Sequence, residues 1–213
     1  MPEISDKTIG RLSLYRRLLS TLLAEDNAHV RSHELALMAR GTPTQVRRDF
    51  MALGCKGRPS LGYPVKELIK CIGHFLDAPT GEAVALIGVG NLGRAILAYL
   101  LNRRPKLSVK AAFDNDEAKV MHAINGCPCY HTRDIKSIIR AENIRVGIIA
   151  VPAAYAQSVA DDLVNVGIKG ILNFAPVRLH VPKDIFVEDI DISMSLEKAA
   201  YFARTRCQTA TQE

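Results

Sequence analysis

The chain has 213 residues, 48% of them apolar, enough for two modest domains with real cores, since a domain takes roughly 100–150 residues. No stretch approaches the roughly 20 apolar residues that span a bilayer, and Met1 to Gly10 lacks the apolar segment of a secretory signal, so a cytoplasmic protein without membrane partners is expected. The formal charge is +6, unevenly spread: residues 1–78 hold 12 Lys+Arg against 8 Asp+Glu, and Arg31, Arg40, Arg47, Arg48, Lys56 and Arg58 outnumber Glu34 and Asp49 in one short stretch, a footprint that fits a polyanion.

Leucines and isoleucines at helical spacing predict a helix over Asp6–Ala24. Ser32 to Arg40 reads as a second helix, capped by Ser32 or its neighbour. Thr42-Pro43-Thr44-Gln45 reads as a helix start: Thr42 caps, Pro43 suits the first helical position and Gln45 completes a capping box. That third helix runs through Val46, Arg47, Arg48, Asp49 and Phe50 to about Leu53. Glycines and Pro59 then punctuate Cys55–Tyr63, which reads as a hairpin wing, and a further helix covers Val65–Leu76. In a helix-turn-helix the second helix enters the major groove with its N-terminal residues against the bases. Thr44, Gln45, Arg47 and Arg48 have that chemistry, and Lys56 and Arg58 on the wing suit the DNA backbone or minor groove.

Asp77-Ala78-Pro79-Thr80-Gly81 marks a boundary, so residues 1–78 form a winged-helix domain and 79–192 a second domain. Beyond it, strands at 83–87, 107–113, 146–151 and 170–174 alternate with helices at 92–102, 134–142 and 153–166. This α/β alternation implies a parallel sheet with helices on both faces. Gly88-Val89-Gly90-Asn91-Leu92-Gly93 directly follows an apolar strand and opens a helix, and Asp114 ends the next strand 114 − 93 = 21 residues later. That is the Rossmann dinucleotide fingerprint. Gly88 permits the tight turn, Gly90 a close approach to pyrophosphate, and Gly93 close helix–strand packing. Asp114 suits the ribose hydroxyls, and its charge favours NAD(H) over NADP(H). Val151 and Pro152, past the end of a later strand, would border the nicotinamide. A final helix, Ser193–Arg206, carries an apolar face in a C-terminal segment, 193–213.

The five cysteines (Cys55, Cys71, Cys127, Cys129, Cys207) are odd in number and irregular in spacing. They predict no metal site and are expected to be reduced, buried thiols. No catalytic constellation accompanies the nucleotide motif, so binding itself would be the output. An NAD-dependent dehydrogenase and a coenzyme A-binding Rossmann module are the alternatives.

Several blocks in order, among them Arg11-Leu12-Ser13-Leu14-Tyr15-Arg16, Gln45-Val46-Arg47-Arg48-Asp49-Phe50, Gly88 to Ala95, Ala112-Phe113-Asp114, Gly167 to Val177 and Ile190-Asp191-Ile192, make the chain resemble the Rex family of redox-sensing transcriptional repressors over nearly its whole length. The resemblance implies a homodimer on operator DNA, with the C-terminal helix swapped into the partner, that responds to NADH and NAD+. NADH would release the DNA. It also implies a switch role for Arg16, Tyr99 and Asp191, with an Arg16–Asp191 pair between domains. Three places depart from the family pattern. The wing reads Gly57-Arg58-Pro59-Ser60, Gly41 stands before the recognition helix, and Met51-Ala52-Leu53 replaces an aromatic segment.

Overall fold

The computed structural model describes residues 4–59, 61–100, 106–120 and 122–210, the last five by backbone alone. Ser60 of the wing therefore lies outside the described residues. The chain divides into two units, one up to Thr80 and one from Gly81.

In the first unit, the Thr8 N–H donates to the Ser5 hydroxyl and starts α1 (Asp6–Ala24). Leu12, Tyr15 and Leu19 point inward from α1 at helical spacing. Strand β1 (His29–Val30) follows, then α2 (Ser32–Met38). The α2 cap is Arg31, the neighbour of Ser32, and its N–H donates to Glu34 Oε2 at 2.6 Å. Arg40 takes a left-handed φ of 52°, so it, and not Gly41, turns the chain into α3 (Pro43–Ala52). At α3 only half the expected capping box forms. The Gln45 N–H donates to Thr42 Oγ1, but the Gln45 side chain turns to Asp49. Residues 53–59 and 61–62 belong to the wing, closed by paired backbone bonds between Arg58 and Gly62. The expected hairpin is only partly present. The outgoing strand β2 (Tyr63–Pro64) pairs antiparallel with β1, setting Tyr63 opposite the buried Val30. Helix α4 (Val65–Leu76) buries Val65, Leu68 and Ile72 against α1. Phe50 sits fully buried at the centre, edge-on to both Tyr15 and Tyr63.

The second unit is a seven-stranded sheet. Its strands are β3 (Glu82–Ile87), β4 (Leu107–Asp114), β5 (Ala123–Ile124), β6 (Cys127–His131), β7 (Val146–Ile149), β8 (Gly170–Asn173) and β9 (Phe186–Asp189), in the order β5-β6-β4-β3-β7-β8-β9. All neighbours are parallel except β5 against β6. Alternate residues of β3 serve opposite faces. Ala85 and Ile87 join a core covered by α6 (Ile135–Ala141) and α7 (Ala153–Asn165), while Val84 and Leu86 join one covered by α5 (Asn91–Leu100). This two-sided burial is why the strand reads as an unbroken apolar run. The chain ends in α8 (Ile192–Ala210).

The thiols depart from the sequence expectation. Cys55 and Cys71 are joined in a disulfide within the first unit, while Cys127 and Cys129 are free and buried in the second. Cys55 follows a left-handed Gly54 at the end of α3, and that turn brings it to 6.2 Å from Cys71 of α4, Cα to Cα, within bonding range.

Candidate functional site

The first unit offers the basic surface. Thr44, Arg47 and Arg48 are exposed on α3, and Lys56 and Arg58 are exposed on the wing. The Arg47 guanidinium donates to Ser32 Oγ and Thr44 Oγ1, so it is held along the helix-turn-helix. Gln45 is half-buried and donates to Asp49 Oδ1 at 2.9 Å. Asp49 itself is buried and accepts from Arg11 Nε at 2.7 Å, Arg11 Nη2 at 2.8 Å and the Tyr15 hydroxyl at 3.2 Å. This bidentate pair ties α3 to α1 and fixes how the helix presents its outer face. Burial opposes the Asp49 charge, but Arg11 and the other donors outweigh it and hold the carboxyl below the usual range. Burial and the neighbouring carboxylate push the Tyr15 hydroxyl up to about 12. Sequence reasoning missed this network because Arg11 and Asp49 stand 38 residues apart.

In the second unit the strand order reverses between β3 and β7, and a cleft opens past their C-terminal ends. It is a cavity of about 460 Å³ lined by Gly88, Gly90, Asp114, Lys119, Val151 and Pro152, with Tyr155 at its side, a size ordinary for a small-molecule site. A Cβ on Gly88 (φ 96°) would stand 2.5 Å from the Ala150 carbonyl oxygen, and one on Gly93 would overlap the Gly88 carbonyl oxygen. A Cβ on Gly90 would meet nothing, so that face of the loop is open to a ligand. Asn91 and Leu92 are exposed at the start of α5, where free N–H groups favour an anion. Val89 does not present its side chain. It is fully buried in the core, and its N–H donates to Asp114 Oδ2 at 2.8 Å.

Asp114 is buried and accepts from the Val89 and Asp116 N–H groups and from Lys119 Nζ at 3.1 Å. Burial works against its charge, yet these donors hold the carboxyl below its ordinary value. Lys119 also lies 3.5 Å from Asp116. The sequence reading did not find Lys119, whose position five residues after the fingerprint acid was the only signal available.

Arg16 donates to Asp77 Oδ1 at 2.6 Å within its own unit, so its carboxylate partner here is Asp77. Asp191 caps the last helix, accepting the Met194 N–H at 2.8 Å. Tyr99 lies exposed on α5. Ile192, Met194, Leu196, Tyr201 and Phe202 of α8 are all more than 45% exposed, an apolar surface left uncovered in the single chain. No group of metal-ligating side chains occurs among the described residues, and none of their helices is long and apolar enough to cross a membrane.

A winged-helix unit joined to a Rossmann unit with a small-molecule cavity at its strand-order reversal defines the class of two-unit, ligand-responsive regulators. Residues 3–50 match the family model for the putative DNA-binding protein N-terminus, and residues 80–177 match the CoA binding domain. A redox-sensing transcriptional repressor Rex from an Exiguobacterium strain is 40% identical, over 94% of this chain and 92% of the relative. Those of Geobacillus kaustophilus (95% of each chain) and Bacillus subtilis (95% and 93%) are 41% and 39% identical. The crystal structure of RSP, a Rex-family repressor, superposes with a TM-score of 0.86 at 30% identity, over 100% of this chain and 99% of RSP. RSP in complex with β-NAD+ and operator DNA gives 0.87 at 31% identity, over 100% and 98%. The chain belongs to the Rex family of redox-sensing transcriptional repressors.

Proposed function

We propose that the chain is a DNA-binding repressor that holds an operator when NADH is scarce and lets go when NADH occupies the β3/β7 cavity. The observation that carries this reading is the joint presence, in a chain of this family, of an open Gly90 loop and a buried, charged Asp114 lining one cavity. RSP, which it resembles throughout, has been solved with β-NADH and with β-NAD+ plus operator DNA.

In this reading the residues divide the work. The backbone at Gly88, Gly90, Asn91, Leu92 and Gly93 takes the pyrophosphate at the start of α5. Asp114 accepts from the adenosine ribose, its charge favoured by the Asp116 and Val89 N–H groups and then by Lys119. Val151 and Pro152 border the nicotinamide, whose redox state supplies the signal when the dinucleotide is bound. Thr44, Gln45, Arg47 and Arg48 face the operator's major groove, and Lys56 and Arg58 its backbone or minor groove. Arg16, Tyr99 and Asp191 form the switch. A ligand moves such a balance only through its different affinity for the two states. The protein acts as a homodimer in the cytoplasm, with α8 laid against a second copy. That accounts for the uncovered Met194, Leu196 and Phe202.

The match of residues 80–177 to a CoA binding domain favours one other ligand, coenzyme A, but its 3′-phosphate would set a dianion beside Asp114. The test is fluorescence anisotropy of a labelled palindromic operator at fixed salt. Binding abolished by NADH, and left intact by NAD+ and coenzyme A, supports the repressor. Binding indifferent to NADH removes the sensor, and release by coenzyme A reassigns it.

A further inference from the structure

Cys55 and Cys71 stand apart from the other thiols in chemistry and in place. Cys127 and Cys129 are buried in the second unit, where burial pushes the Cys127 thiol up to about 11 and leaves it inert. Cys55 and Cys71 are only half-buried, within reach of small reagents. Their bond ties Cys55, three residues past the end of the recognition helix, to the middle of α4. The segment between them contains the whole wing tip, including Lys56 and Arg58. Cys55 is already anchored, its N–H donating to the Phe50 carbonyl at 2.9 Å. A bond here ties the start of the wing, just past α3, to the helix that follows the wing's outgoing strand. A protein that works on intracellular DNA sits in a reducing compartment, where disulfides are chiefly transient or sensory.

We propose that Cys55 and Cys71 form a reversible thiol–disulfide site, a second redox input lying in the DNA-binding unit itself. The oxidant is a low-molecular-weight disulfide, R–S–S–R. One cysteine thiolate attacks it, forming a mixed disulfide and releasing one R–S⁻. The second thiolate then attacks the cysteine sulfur of that mixed disulfide, forming the Cys55–Cys71 bond and releasing the second R–S⁻. The two cysteine protons pass to solvent, the cysteines are oxidised by two electrons, and the reagent is reduced by two. Oxidation restricts the wing before it meets DNA, so less ordering remains to be done on binding.

The test uses the full-length protein after oxidised glutathione or after dithiothreitol. Peptide mapping under non-reducing conditions should find the Cys55–Cys71 peptide only in the oxidised sample. The melting temperature of the winged-helix unit should rise by about 12–20 °C on oxidation, for a closed loop of this length. Operator affinity should tighten by about threefold. Cys71→Ser and, should it fold poorly by circular dichroism, Cys71→Ala should erase all three responses while retaining operator binding. Free thiols at both positions after oxidant would overturn the proposal, as would a linked peptide with no change in melting or affinity. The operator arm rests on the repressor reading. The peptide map and melting curve need no DNA, so its failure is separable from failure of that reading.

Discussion

Asp49→Asn tests the anchoring of the recognition helix. Asp49 is buried and takes two bonds from Arg11 and one each from Tyr15 and Gln45. The substitution removes the charge, leaves Arg11 without its counterion and turns one acceptor into a donor that faces other donors. Bonds to a charged group are each worth roughly 1.5–3 kcal/mol, and breaking a fully buried pair costs roughly 3–5 kcal/mol. The Arg11 side chain is 30% exposed, so the lower end applies, about 3 kcal/mol. For a unit of this size that lowers the melting temperature by about 12–20 °C. Scanning calorimetry at neutral pH would read it, with saturating NADH added to separate the Rossmann transition. The pH dependence follows from the lowered Asp49 pKa. The pair's stabilisation is complete above the unfolded value, near 4, and is lost as pH falls through the folded-state value. The gap between wild type and variant should therefore close in acid. A neutral-pH shift below about 3 °C, or a gap that persists unchanged to pH 3, would refute this account of the anchor.

Four further substitutions have expected outcomes. Gly90→Ala should leave the melting temperature unchanged, since its Cβ meets open space, yet weaken NADH by at least about tenfold; Gly88→Ala, at φ 96° against the Ala150 carbonyl, should destabilise the unit itself by about 2 kcal/mol. Lys119→Met should change NADH affinity little but weaken NADPH by about tenfold, because no cation then offsets a 2′-phosphate against Asp114. The chain has no Trp, so NADH emission can be followed directly, with NADPH as competitor. Arg48→Ala, exposed on α3, should cost about 1 kcal/mol of operator binding and reduce the salt slope by roughly 0.9, read from anisotropy across a salt series.

The sequence reading succeeds where periodicity and punctuation agree. Helix α4 falls at Val65–Leu76 as expected, between Pro64 and Asp77, and β3 and its glycine loop follow from one apolar run. It loses β6, because Cys127-Pro128-Cys129-Tyr130 carries a proline and no aliphatic alternation, although the strand pairs with β4 all the same. It loses β9 because Glu188 and Asp189 mark an edge strand as loop-like. Contacts across distance were illegible: Arg11–Asp49, Arg16–Asp77 and Cys55–Cys71 join residues whose spacing carries no local signal. Lys119 was hidden differently, since a lysine in a polar loop reads as solvated until the fold turns it onto Asp114.

Asp114 faces the cavity, but its Oδ2 also accepts the Val89 N–H and so braces the glycine loop on which a pyrophosphate would rest. Whoever sets out to redesign this protein for another dinucleotide will find that position 114 is not a free choice. An uncharged replacement without a side-chain acceptor withdraws the loop's brace, and asparagine, with one carbonyl oxygen, keeps only one of the bonds from Val89 and Asp116. Retargeting would therefore run through Lys119 and Asn115 around an unchanged aspartate, and any natural drift in cofactor preference faces the same constraint.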